Sequence, residues 1–298
     1  MPEGVTLTIL SGTTLKIPAL YDFTFSGENT SKSEIIVHGS LLAEGIEENP
    51  IVFTSDTPRN SRKGDWVGIR VNGTLRLKNA IVEYATYGIN FAADEDVDGI
   101  YVENCIIRHN SGTGIDVYAD SNANISADII DNTITDNDGN GISCRAYTGN
   151  TELDLNICGN TVSENGEMGI YCFADGGSGN PSIIGTICNN TVHDHTTHGI
   201  YSYTYQGAGS ELTIANNTVY QSGIGIYAYY NYASPFSTLA VTSNTAHTGS
   251  QGIKVYTNYS SISPLVQNNA VHNNAADGIY CGYGGPDTYT MAPRLEGN

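Results

Sequence analysis

One short phrase recurs along this chain and limits its fold more than any other feature. Its clearest copy is Asn160-Thr161-Val162-Ser163-Glu164-Asn165, followed by Gly169-Ile170-Tyr171-Cys172. The phrase returns as Asn132-Thr133-Ile134 with Gly141-Ile142, Asn190-Thr191-Val192 with Gly199-Ile200, and Asn217-Thr218-Val219 with Gly225-Ile226. Looser copies begin at Asn104, Asn244 and Asn269. The isoleucines of the Gly-Ile pairs stand at 89, 115, 142, 170, 200, 226, 253 and 279, so the period stays between 26 and 30 residues. A period this short and regular predicts a solenoid, in which each copy buries its apolar face only against its neighbours.

The local pattern says which solenoid. The apolar runs are too short for helices, alternate with period two and are punctuated by Gly, Asn and Asp. Ile170 and Cys172 point one way, Tyr171 and Phe173 the other. A second short strand precedes each Asn, as in Leu155 and Ile157, Leu212 and Ile214, or Leu239 and Val241. The expectation is an all-β, single-stranded solenoid with about three strands per coil, like residues stacking about 4.8 Å apart. The recurring Asn then forms an asparagine ladder at one bend, satisfying turn backbone and the Asn above.

On these residues the chain resembles the right-handed parallel β-helix repeat proteins, the fold of the pectate lyases, over Trp66 to Asn298. Residues 1–65 are strand-rich but out of register, and read as irregular first coils or a cap. With Gly64-Asp65-Trp66-Val67-Gly68-Ile69 they resemble the opening coils of β-helix domains in bacterial and archaeal surface proteins. Trp66, the single tryptophan, is expected as a core plug. Leu295-Glu296-Gly297-Asn298 fits the start of a further repeat, so the regular coils are expected to be truncated at that end.

Composition narrows function. A formal charge of -19 and a pI near 4.4 exclude nucleic acid as a partner, because phosphate contacts need Lys and Arg in number. A polyanionic glycan meets the same repulsion unless a metal intervenes. Only 14% of residues are charged, and a surface carried by Asn, Ser, Thr, Gly and Tyr points to an extracellular or cell-surface protein. No apolar run is long enough to insert directly into a membrane.

If Ile faces inward after each Gly, two outward columns follow. One runs Asn90, Asp116, Ser143, Tyr171, Tyr201, Tyr227, Lys254 and Tyr280; the other runs Tyr118, Arg145, Phe173, Tyr203, Tyr229, Tyr256 and Gly282. Aromatic rings therefore gather on one flat sheet, with variable loops such as Asn231 to Pro235 placed to rim it. Tyrosine offers an apolar face with a polar tip, which suits a polysaccharide or another surface protein as partner, and equally suits strand-to-strand stabilisation.

The resemblance also implies an enzymatic alternative. Parallel β-helix polysaccharide lyases pair a Lys or Arg base with carboxylate-held calcium; here Lys254 or Arg145, with Asp116 beside the latter, are the residues so placed. Asp94, Asp96 and Asp98 alternate before Gly99 and form a weak calcium candidate, although the closing Glu of an EF-hand is missing. A glycoside hydrolase ranks lower still, because the polygalacturonase pattern survives only as Thr197-His198-Gly199 and Gly252-Ile253-Lys254.

The remaining polar residues have structural readings. Cys144 with Cys172, and Cys158 with Cys188, occupy matching positions in adjacent coils, within disulfide reach or packed as free thiols, the second arrangement being favoured. His193, His195 and His198 read as turn residues at the surface rather than a metal cluster. The basic run Arg59, Arg62, Lys63, Arg70, Arg76 and Lys78 reads as a face balanced by neighbouring acids.

Overall fold

The computed structural model describes residues 1–298 apart from 24, 26, 58–59, 94–98 and 287. Its chain winds as a right-handed parallel β-solenoid with three strand faces and no helix among the described residues. The first face is a sheet of 11 parallel strands, from Thr6–Ile9 to Arg294–Glu296. The other two faces merge into one sheet of 18 strands, because Thr191–Tyr205 and Thr218–Asn231 run through the corner without a break.

Register follows the repeat. Ile89, Ile115, Ile142, Ile170, Ile200, Ile226, Ile253 and Ile279 stack in one column, and Ile69 and Ile35 extend it toward the N-terminus. From Gly88 to Gly252 the glycine before the Ile is needed for close approach: a Cβ on Gly199 would lie 2.2 Å from Val219 Cγ1 and 2.7 Å from the Gly225 carbonyl oxygen. The early strands Thr6–Ile9, Thr14–Ile17 and Ile35–Val37 pair with Ser40–Glu44, Ile51–Ser55 and Ile69–Val71, so they belong to the same faces as the later coils. Trp66 is fully buried, its Nε1 donating to the Glu83 carbonyl at 3.0 Å.

The asparagine ladder runs through Asn132, Asn160, Asn190, Asn217, Asn244, Asn269 and Asn298, each side-chain amide donating to the next Oδ1 at 2.9–3.0 Å. Each also donates to a buried carbonyl of the preceding coil, as Asn190 does to Ile157 at 2.8 Å. Asn104 is not on this ladder. It holds the left-handed corner position (φ 52°) that Asp131, Gly159, Asn189, Asn216, Ser243 and Asn268 fill elsewhere, and Cys105 takes the ladder place. Left-handed backbone suits Asn, Asp and Gly, which explains the Asn-Asn doublets at 189–190, 216–217 and 268–269.

A second ladder lies at the next corner. Asn110 donates to Asn137 and Asn137 to Asn165, at 2.8 and 2.9 Å. In the next coil His195 occupies this position, 3% exposed, its ring nitrogens 3.3 Å from the Asn165 and 3.2 Å from the Val162 carbonyl oxygens. The surface-turn expectation thus fails for His195, because the corner column faces inward. His193 does lie outside, at the head of a stack that continues through Tyr220, His247 and His272 at successive spacings of 4.6, 5.2 and 5.0 Å.

Cys158 and Cys188 form a disulfide between adjacent coils, Cα atoms 4.6 Å apart, which corrects the expectation of free thiols for that pair. Cys144 and Cys172 stack in register as buried free thiols. Four of the six basic residues are balanced: Lys63 pairs with Asp136 and Asp138, Arg70 with Glu28 and Glu34, Arg76 with Glu44, and Lys78 with Glu103. Arg59 lies outside the described residues.

Candidate functional site

Both outward columns form as the alternation requires. Asp116, Ser143, Tyr171, Tyr201, Tyr227, Lys254 and Tyr280 are in register, and beside them Tyr118, Arg145, Phe173, Tyr203, Tyr229, Tyr256 and Gly282. What alternation could not foretell is how the rings lie. Tyr201 and Tyr227 are 5.0 Å apart at 19°, and Tyr203 and Tyr229 4.9 Å apart at 4°. At these separations coplanar rings would interpenetrate, so the rings lie face over face along the solenoid axis in the offset arrangement aromatic quadrupoles favour. Within each coil they sit side by side, Tyr201 with Tyr203 at 6.1 Å and Tyr227 with Tyr229 at 6.0 Å. The block extends to Tyr171 and Phe173, 5.6 and 5.1 Å from the rings below. His198 adds a further plane, 4.8 Å from Tyr201.

Stacking therefore occupies the ring faces inside the block, and the sheet offers water mainly ring edges and hydroxyls. Burial drives the hydroxyl pKa of Tyr171 and Tyr201 well above the ordinary tyrosine value and that of Tyr227 to about 12, neighbouring phenols adding to the shift. Within this block, a ligand that needs an open ring face finds it where the stack is interrupted.

The interruption is at Lys254. Where a further ring would stand, the ammonium sits 4.7 Å from the Tyr227 ring centroid, 5.9 Å from Tyr256 and 6.0 Å from Tyr280, distances at which a cation is attracted to the ring face. Tyr256 tilts 49° from Tyr229. A notch of about 240 Å³ opens here, lined by Tyr227, Tyr229, Gln251, Lys254, Tyr256 and Tyr280. Lys254 makes no ion pair among the described residues, whereas Lys63, Lys78, Arg70, Arg76, Arg108 and Arg145 do. Gln251, which the sequence did not single out, reaches Asp277 at 3.1 Å and forms one wall.

The opposite end of the block is closed. Arg145 Nη2 donates to both oxygens of Asp116, at 2.9 and 2.8 Å, and the guanidinium lies 5.4 Å from the Tyr118 ring. Burial works against the charge of Arg145, but Asp116 outweighs it and raises the guanidinium pKa above its ordinary value. A guanidinium so held is a structural cation. Arg145 and Lys254 thus stand at separate ends, with Tyr171, Tyr201 and their neighbours between them.

Among the described residues no group of three or more His, Cys, Asp or Glu is arranged to hold a metal ion. Asp94, Asp96 and Asp98 lie outside the described residues. No helix is long and apolar enough to cross a membrane.

Stacked coils, inward isoleucines and paired corner ladders define a β-helix protein. The chain belongs to the family described as right handed beta helix region, whose model matches residues 67–236 and 205–291. No curated protein matches it in sequence. Among solved structures it is similar to the pre-mature gene product 12 of bacteriophage phi29, at 11% identity and a TM-score of 0.28 over 98% of this chain. The chain spans 52% of that structure's length.

Proposed function

We propose that this chain is a non-catalytic β-helix segment of a cell-surface or secreted protein, a stalk whose tyrosine-rich face recognises carbohydrate or a protein partner. The observation that carries this reading is the break in the ring stack at Lys254. There the sheet exposes tyrosine faces around an ammonium that has no ion pair among the described residues. On stability alone another ring and the lysine are close, about 0.5–1.5 kcal/mol for a stacked aromatic pair against about 0.5–1 kcal/mol for an exposed cation over a ring. A cation within an aromatic notch suits a ligand with a sugar-like apolar face and a polar or acidic substituent.

The polysaccharide-lyase alternative has less support. Of its two candidate bases, Arg145 is committed to Asp116 and Lys254 stands without a cluster of carboxylates among the described residues. A glycan-binding screen with and without calcium, with uronate-polymer turnover followed on every hit, separates the readings. Retention without turnover, weakened about tenfold or more in Lys254→Ala, is the expected outcome, a loss of about 1.4 kcal/mol. Turnover abolished by the same substitution would overthrow the non-catalytic reading, and silence on both counts would leave a structural stalk.

A further inference from the structure

Past the tyrosine sheet, Asn231 and Asn258 end their strands and the chain turns the corner at Tyr232 and Tyr259. Both tyrosines hold left-handed backbone, φ 54° and 51°. In the flanking coils this position is Gln206 (φ 49°) and Gly285 (φ 100°). A bulky aromatic is a poor choice for such a corner on backbone grounds, so the side chain accounts for its presence. The two rings stack at 4.5 Å and 5°, and Tyr289 meets Tyr259 edge-on at 5.9 Å and 81°.

Beside them the loop Ala233-Ser234-Pro235-Phe236 folds outward. It is anchored by Ser234 N–H on the Ala208 carbonyl at 2.8 Å and Ala233 N–H on Ser260 Oγ at 2.8 Å. Phe236 at its tip is 83% exposed, and Tyr232 is 49% exposed. Together these residues line an open cleft of about 540 Å³, its rim completed by Asn180, Ser260 and Ser261. No described lining residue is charged.

We infer that this corner cleft binds a neutral saccharide. The exposed rings of Phe236 and Tyr232, with Tyr289 set edge-on to the Tyr259 ring, suit the apolar C–H faces of a sugar ring, and the amide of Asn180 and the serine hydroxyls can serve its hydroxyl groups. A described lining without charge, on a chain of net charge -19, favours a neutral ligand over an acidic one. The site stands apart from the notch at Lys254 and shares no lining residue with it.

The test is affinity electrophoresis of the full chain in gels containing a soluble β-glucan, a mannan or a galactan, with polygalacturonate and a polyproline peptide as contrasting probes. At least one neutral polysaccharide should retard the chain, and Phe236→Ala and Tyr289→Ala should each weaken that retardation about tenfold. Tyr220→Ala, which removes a stacked ring from a different column, should leave it unchanged. Phe236→Ala removes a solvent-facing side chain, so its melting temperature should match the parent's and its effect reads binding alone. Retardation by polygalacturonate or polyproline only, no retardation by any probe, or equal loss in Tyr220→Ala would overturn the proposal. Because the cleft and the notch share no residue, each can fail independently of the other.

Discussion

His195 shows how one side chain sets a pH dependence. A neutral imidazole has a single N–H, yet both ring nitrogens of His195 face carbonyl oxygens, those of Asn165 and Val162. Protonation would supply the second donor, but burial lowers the His195 pKa, as it does that of His198. A depressed histidine pKa stabilises the fold above the unfolded value of about 6.5 and loses that stability as pH falls through the folded value. Melting temperature should therefore drop on acidification below about pH 6.5. His195→Asn, which returns two uncharged amide donors to the ladder, should flatten that drop and raise stability by about 1 kcal/mol at neutral pH. An unchanged pH profile in His195→Asn would count against this account. In the first ladder, Asn190→Ala should cost about 3 kcal/mol in denaturant unfolding, because it strips partners from Asn160, Asn217 and the Ile157 carbonyl together. The ladder was legible in the sequence wherever Asn precedes an alternating strand. It was misread at Asn104, because the left-handed corner also selects Asn and the thiol of Cys105 fills the inward place. The second ladder stayed hidden because His195, and Ser222 paired with it in the following coil, interrupt its letter pattern.

Among the elements, the tyrosine block carries both stability and exposure. Tyr203 stacks on Phe173 and Tyr229, at 5.1 and 4.9 Å, so Tyr203→Ala should destabilise by about 1–3 kcal/mol from lost stacking alone. The pKa of Tyr171, Tyr201 and Tyr227 is raised by burial, and a raised tyrosine pKa contributes stability below the unfolded value of about 10 that is lost as pH climbs past it. An absorbance titration at alkaline pH should accordingly show a late fraction of tyrosines that ionise only with unfolding. Replacing Cys158 and Cys188 together by Ser should cost about 3.6 kcal/mol, the scale for closing a loop of 30 residues. Period-two alternation was enough to place each ring on the outer face. Ring orientation was not legible, since it depends on contacts between coils 26 to 30 residues apart.

For the molecule as a whole, the fold was legible because a solenoid repeats one local solution, and the coil period could be read directly from the Gly-Ile pairs. The corner cleft was not, because it joins residues from five places between Asn180 and Tyr289, of which only Tyr232 and Tyr259 stand in a repeated phrase. The most direct measurement of the functional claim is NMR of the chain with its lysines reductively methylated by ¹³C-formaldehyde. Only five lysines are present, and Lys254 is the one held over tyrosine faces. In the free protein its methyl resonance should be displaced upfield by the ring currents. On titration with a retained glycan whose binding survives Phe236→Ala, it should shift while those of Lys16, Lys32, Lys63 and Lys78 stay in place. A glycan that binds through the tyrosine sheet yet leaves the Lys254 resonance unmoved would contradict the notch as the point of recognition.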